Sequence, residues 1–214
     1  MFGVIYGMLF SGKDIKHIKS ACQVKYANYL HDKQDINKAI LYYNKAINLD
    51  VNNYYAYGSL AATYFEKKEF EQALKYCKKA DAIMQGISVH IMMVVIYDVL
   101  GDTKLSEGYL QRVMKFYNND VVAAYDRLSY TYYQIEMYRQ AEYYCKEALK
   151  IKPFAASLHY NLGNIYIAQQ KLPEAKEQFN KVLELANNKR YKKYSIKSID
   201  RLEKIIVDKK IGTL

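Results

Sequence analysis

The chain has 214 residues, 51% of them hydrophobic and 25% charged, with a formal net charge of +10. That balance belongs to a folded globular protein and excludes a disordered or low-complexity one. Pro153 and Pro173 are the only prolines, which favours an all-helical chain. The odd set Cys22, Cys77 and Cys145, with no CxxC pair, argues against a disulfide framework and fits a reducing cytoplasm.

In chain order, the first ten residues, MFGVIYGMLF, carry no charge. The run is shorter than the roughly 20 apolar residues a membrane span needs. It also lacks the basic start and small-residue cleavage site of a secretory signal. Residues 1–19 are therefore expected to form an apolar lead segment that packs over an otherwise open core, with an anchoring role as the alternative.

From residue 20 onward a fixed period takes over. Ala39, Ala73, Ala141 and Ala175 are separated by 34, 68 and 34 residues. Tyr43, Cys77, Cys145 and Phe179 keep the same beat, as do Ala46, Ala80, Ala148 and Val182. Such a period predicts stacked pairs of amphipathic helices, A and B. The pairs fall at 20–53, 54–86, 87–121, 122–155 and 156–189. The A helices place Tyr26/Ala27/Leu30, Leu60/Ala61/Tyr64, Met93/Val94/Tyr97, Leu128/Ser129/Tyr132 and Leu162/Gly163/Tyr166 on their packed faces. The third pair is the most degenerate, with Ser106, Leu110 and Val113 in its B helix. Gly163 lets a neighbouring helix approach closely, small Ala175 lets helices A and B cross tightly, and Phe179 fills the space that opens beyond. Turns rich in Asn, Asp and Gly separate the pairs.

Residues 190–214 are expected to form a basic capping helix whose apolar stripe is Tyr194, Ile196, Ile199, Leu202, Ile205 and Ile206. The last 25 residues hold eight basic and three acidic groups, half of the chain's excess charge. Arg190, Lys192, Lys193, Lys197, Arg201 and Lys204 make up a candidate basic patch. It could meet an acidic protein, anionic lipid or phosphate, or simply solubilise the cap.

This pattern resembles the tetratricopeptide repeat (TPR) family. The family's small helix-A residue is matched by Ala27, Ala61, Ser129 and Gly163, and its helix-B alanine by Ala39, Ala73, Ala141 and Ala175. Its terminating proline survives as Pro153, while His90 and His159 replace an early aromatic in two units. RNA-binding pentatricopeptide repeats fit the small-residue pattern less well. The resemblance implies an all-α, right-handed α-solenoid that binds partner segments in a groove lined by helix A.

The groove positions map to Asn28, His31, Tyr55, Phe65, Ile91, Val95, Asp98, Asp126, Tyr130, Tyr133, Tyr160, Asn164 and Ile167. Such a lining, apolar and poor in charge, would favour an apolar or amphipathic protein segment. The carboxylate clamp of chaperone-binding members is missing: its places in the first three units hold Val24, Asn28, Ser59, Ser88 and Met92, and the middle three supply only Arg127.

The expected role is thus a non-catalytic scaffold or adaptor in the cytoplasm, with self-association through an uncovered end also open. The alternative is an assembly factor docked by its two ends to a membrane-bound or nucleic-acid complex. Nucleic acid ranks below protein because no recognised binding motif accompanies the charge. No HExxH, GxxxxGK[ST], GxSxG or GxGxxG occurs, so no catalytic site, metal or cofactor is expected.

Overall fold

A computed structural model describes residues 12–185 and 189–211, with all side chains except those of 13, 190, 201 and 204–211. The apolar run at 1–10 lies outside the described residues. Eleven helices and no strand are present among the described residues. They divide between two compact units, Met1–Val113 and Met114–Leu214.

The first unit is built from antiparallel hairpins. Helices α1 (Gly12–Asp32) and α2 (Ile36–Leu49) form one, and α3 (Tyr54–Glu66) with α4 (Phe70–Ile83) the next. Helix α5 (Ile87–Leu100) pairs with α6 (Thr103–Phe116), whose last residues pass the division between units. The second unit holds α7 (Val121–Gln134) with α8 (Tyr138–Ile151), α9 (Ala156–Ala168) with α10 (Leu172–Leu185), and α11 (Lys189–Ile211).

Small residues decide how closely the hairpins close. Ala39, Ala46, Ala73, Ala80, Ala141, Ala148 and Ala175 are all fully buried at the A/B crossings. Beyond them tyrosine pairs repeat: the rings of Tyr64 and Tyr76, Tyr97 and Tyr109, and Tyr132 and Tyr144 stack at 5.5, 5.8 and 5.4 Å. Each pair joins an A helix to its B helix and contributes beyond simple area burial.

Three helix starts, those of α2, α3 and α7, are fixed by side-chain caps. Asp35, Asn53 and Asp120 accept from the backbone amides of Lys38, Ala56 and Ala123, which relieves orphan amides of the first turn. Asn53 also donates to Ser20 Oγ at 2.8 Å, and Ser20 donates to the Ala46 carbonyl at 2.7 Å. Every A-to-B turn passes through one left-handed residue: Gln34, Lys68, Gly101, Glu136 and Gln170. Four of the five are not glycine, so each of those accepts a backbone cost of roughly 1–2 kcal/mol that hairpin packing must offset.

Three features depart from the sequence expectation. Among the described residues helix α1 runs from Gly12, so residues 12–19 continue the A helix of the first hairpin and are not a separate lead segment. No Gly or Pro interrupts residues 13–32, and Asp14 complements the helix dipole in the first turn.

Helix α5 is buried on all sides, from Val89 to Tyr97 without a break. Its residues before Asp98 include no Lys, Arg, Asp or Glu, so no face is set aside for solvent. His90 and His159 sit in the core, as their aromatic register predicts. His90 Nε2 lies 2.7 Å from Asp81, and His159 bonds Gln178 and the Pro153 carbonyl.

Helix α11 buries Ser195 and Leu202 and leaves Tyr194 and Ile196 about half exposed. The inward face therefore runs through Tyr191, Ser195, Ile199 and Leu202, because a serine lets α11 approach where a larger stripe residue would hold it off.

One ion cluster ties the two hairpins of the second unit together. Glu142 on α8 accepts from Lys146 at 2.6 Å and from Lys171, just before α10, at 3.0 Å. Burial pushes the Glu142 carboxyl up, but the hydrogen bonds from Lys146, Lys171 and Gln169 outweigh it and hold its pKa at about 2. A depressed carboxyl stabilises the fold above its unfolded pKa and loses that contribution as pH falls toward the folded value. Glu142→Gln should thus lower the melting temperature at pH 7, and its deficit should shrink as pH falls from about 4.5 to about 2. Melting curves of both proteins across that range test this; a constant gap would remove the ion cluster as its cause.

Candidate functional site

The second unit carries a hollow of about 200 Å³ on the shared face of α7 and α9. Its walls are Ser129, Tyr130 and Tyr133 from α7, with Tyr160, Asn161, Asn164 and Ile165 from α9. Tyr130 and Tyr133 are three apart on one helix, as are Asn161 and Asn164, so each pair projects from one face.

The rings are held, not free. Tyr160 packs against Phe179 at 5.7 Å and Tyr191 at 5.9 Å, and Tyr133 against Tyr138 at 5.7 Å. Tyr130 is 46% exposed, accepts from Gln134 Nε2 at 3.1 Å and lies under the Arg127 guanidinium at 5.5 Å. Large aromatic surfaces pre-set in this way lose little freedom when a partner covers them.

A second, more open hollow of about 420 Å³ adjoins the first, sharing Tyr130 and Asn161. Tyr117, Ala123, Asp126 and Arg127 complete it. Asp126 Oδ1 accepts from Asn161 Nδ2 at 2.8 Å, across the two helices. Burial raises the Asp126 pKa, against the opposing pull of the Asn161 hydrogen bond and the Arg127 charge. Burial also raises the Tyr133 pKa, with Tyr138 and Tyr160 adding to it.

Of the groove residues expected from sequence, the structure brings Asp126, Tyr130, Tyr133, Tyr160 and Asn164 together on this face. Ile167, on the same helix as Asn164, is half-buried. In the first unit Asn28 and Tyr55 are exposed, His31 lies 3.1 Å from Glu66, and Tyr43 donates to Asn28 Oδ1 at 2.7 Å. Asp98 is exposed and accepts from Ser106 Oγ.

Three expected groove residues are core instead. Phe65, Ile91 and Val95 are 4%, 2% and 0% exposed. Phe65 turns toward Phe70 at the hairpin end, and Ile91 and Val95 belong to the wholly buried α5. Asn161, absent from the expected set, is central: it lies 35 residues after Asp126, about one repeat length on, which is the signal that could have paired them.

On α11, Lys192, Lys193 and Lys197 are exposed. The side chains of Arg190, Arg201 and Lys204, from the same expected patch, lie outside the described residues. None of the described helices is long and apolar enough to cross a membrane.

Tetratricopeptide repeat profiles match residues 21–53, 54–83, 122–154 and 156–189. The chain belongs to the tetratricopeptide repeat family. The TPR matches coincide with the hairpins α1/α2, α3/α4, α7/α8 and α9/α10, while α5 and α6 form a further hairpin between them in the chain.

A TPR repeat-containing protein of Methanocaldococcus jannaschii is 26% identical over 179 residues, covering 79% of this chain and 32% of that protein. Stress-induced-phosphoprotein 1 of Caenorhabditis elegans is 42% identical over 53 residues, covering 25% of this chain and 17% of its own length. This TPR chain thus spans about a third or less of these relatives. Among solved structures, PilW, a type IV pilus biogenesis factor, superposes with a TM-score of 0.54 at 16% identity, over 87% of this chain and 91% of its own. That likeness establishes the shared all-α TPR fold. The repeats are of a kind that serves protein–protein interaction.

Proposed function

We propose that this TPR chain is a non-catalytic adaptor that holds a segment of a partner protein against the α7/α9 face. The observation that carries the reading is the hollow walled by Tyr130, Tyr133 and Tyr160, with Asn161 and Asn164 beside them. Three aromatic rings supply apolar contact area, and the amides supply hydrogen bonds that a peptide backbone can meet. The rings are already braced by Tyr138, Phe179 and Tyr191, so the face is preformed. An apolar or amphipathic segment is the occupant this lining favours.

The test is capture of partners from native extract, with nuclease present, by wild type and by Tyr130→Ala/Tyr133→Ala side by side. Tyr130 is exposed and Tyr133 half-buried, so the double variant should keep its helicity by circular dichroism. Partner binding should fall by on the order of tenfold to a thousandfold, the range for removing two aromatic anchors. Equal capture by both proteins would sink the reading and move attention to the basic residues of α11 as the docking element.

A further inference from the structure

The α7/α9 face is nearly without charge in a chain of net charge +10. Helix α9 has no Lys, Arg, Asp or Glu, and α7 has only Asp126 and Arg127. Arg127 is directed over the Tyr130 ring, and among the described residues the Asp126 carboxylate forms no ion pair. One of its oxygens is engaged by the Asn161 amide. The carboxylate therefore lines the second hollow partly stripped of water, within the influence of the Arg127 charge but with no ion pair among the described residues, directly beside the tyrosine-walled one. A partly buried carboxylate of this kind is met best by a charged donor, and a partner's own carboxylate would be repelled there.

We infer that Asp126 is a specificity-determining residue, selecting partner segments that carry one Lys or Arg beside an apolar anchor. The apolar side chain enters the hollow between Tyr130, Tyr133 and Tyr160, and the cation reaches Asp126 in the adjoining one. This rests on the α7/α9 face being the binding face.

A random-peptide phage library selected against wild type, Asp126→Asn and Tyr130→Ala/Tyr133→Ala tests both layers. The asparagine keeps the shape of the side chain and can still pair with Asn161, and circular dichroism verifies folding. Peptides selected on wild type should carry a Lys or Arg at a constant distance from an apolar residue. Replacing that lysine by norleucine in a synthetic copy should weaken binding to wild type by on the order of tenfold to a hundredfold, the range for a charged hydrogen bond. The same replacement should leave binding to Asp126→Asn unchanged.

Selection of acidic peptides, or of apolar peptides with no basic preference, would overturn the role of Asp126. If those apolar peptides still lose affinity for the double tyrosine variant, the binding face stands. Unchanged binding to the tyrosine variant, or no selection above background, would overturn the face itself.

Discussion

Phe179→Ala should destabilise the second unit by about 3–5 kcal/mol, the range for emptying a fully buried aromatic site. Phe179 is 0% exposed and is among the largest fully buried side chains of the chain. Its ring fills the space that Gly163 leaves open on α9: a Cβ at Gly163 would sit 2.7 and 2.8 Å from two of the Phe179 ring atoms. Alanine cannot collapse into that space, so a cavity remains.

The same geometry reverses the sign of a second substitution. Alanine exceeds glycine in a helix interior by about 1 kcal/mol, yet Gly163→Ala in the wild-type background should be destabilising because the new methyl meets the ring. In the Phe179→Ala background it should stabilise. A double-mutant cycle read by chemical denaturation measures this coupling. Additive effects would refute the packing of α9 on α10. Because repeat stacks are stabilised mainly by neighbouring units, hydrogen exchange should quicken in α9 and α10 while α1 to α4 keep their protection.

Ala141→Leu is the second large effect. Ala141 is fully buried where α7 and α8 cross, and its carbonyl accepts from Ser129 Oγ at 2.8 Å. A leucine there forces the helices apart or the side chain off-rotamer, at a cost of about 1–3 kcal/mol. Separation would also break the serine bond and leave its partner groups buried. Gln140→Leu, at the exposed residue just before Ala141, serves as the control. It should stay within about 0.5 kcal/mol of wild type. A melting curve for Ala141→Leu that overlays wild type would mean that Ala141 is not at the crossing.

Several elements were readable in advance, each for a specific reason. The alanines at repeat spacing marked the A/B crossings because only a side chain that small lets two helices approach so closely. Gly163 was readable as a point of close helix approach and Phe179 as a space-filler, but that the ring of one fills the space left by the other came from the structure. Tyr130, Tyr133, Tyr160 and Asn164 were expected on one face from the resemblance to the TPR family, whose helix A positions they match, and the structure groups them around one hollow.

The errors have equally specific reasons. Phe65, Ile91 and Val95 hold groove positions in register but lie in the core. Periodicity states which way a side chain points from its own helix, and says nothing of what its neighbours bring to cover it. On α11 the larger apolar residues Tyr194 and Ile196 drew the expected stripe, while the packed face follows the small Ser195. The left-handed turn residues were invisible because Gln34, Lys68, Glu136 and Gln170 stand where glycine would have announced the turn. Asp126 was expected on the groove face, but its bond to Asn161 joins two helices a repeat apart.

By itself the sequence determined the repeat length, the helix pairing, the family and the small-residue crossings, because each depends on contacts within one hairpin whose spacing the chain fixes. Only the tertiary structure decided which register positions stay open to a partner, which face of α11 packs, and that a partly buried carboxylate bonded to Asn161 stands beside the tyrosine hollow. Those depend on what residues distant along the chain place against one another, and burial, unlike periodicity, is a property of the assembled neighbours.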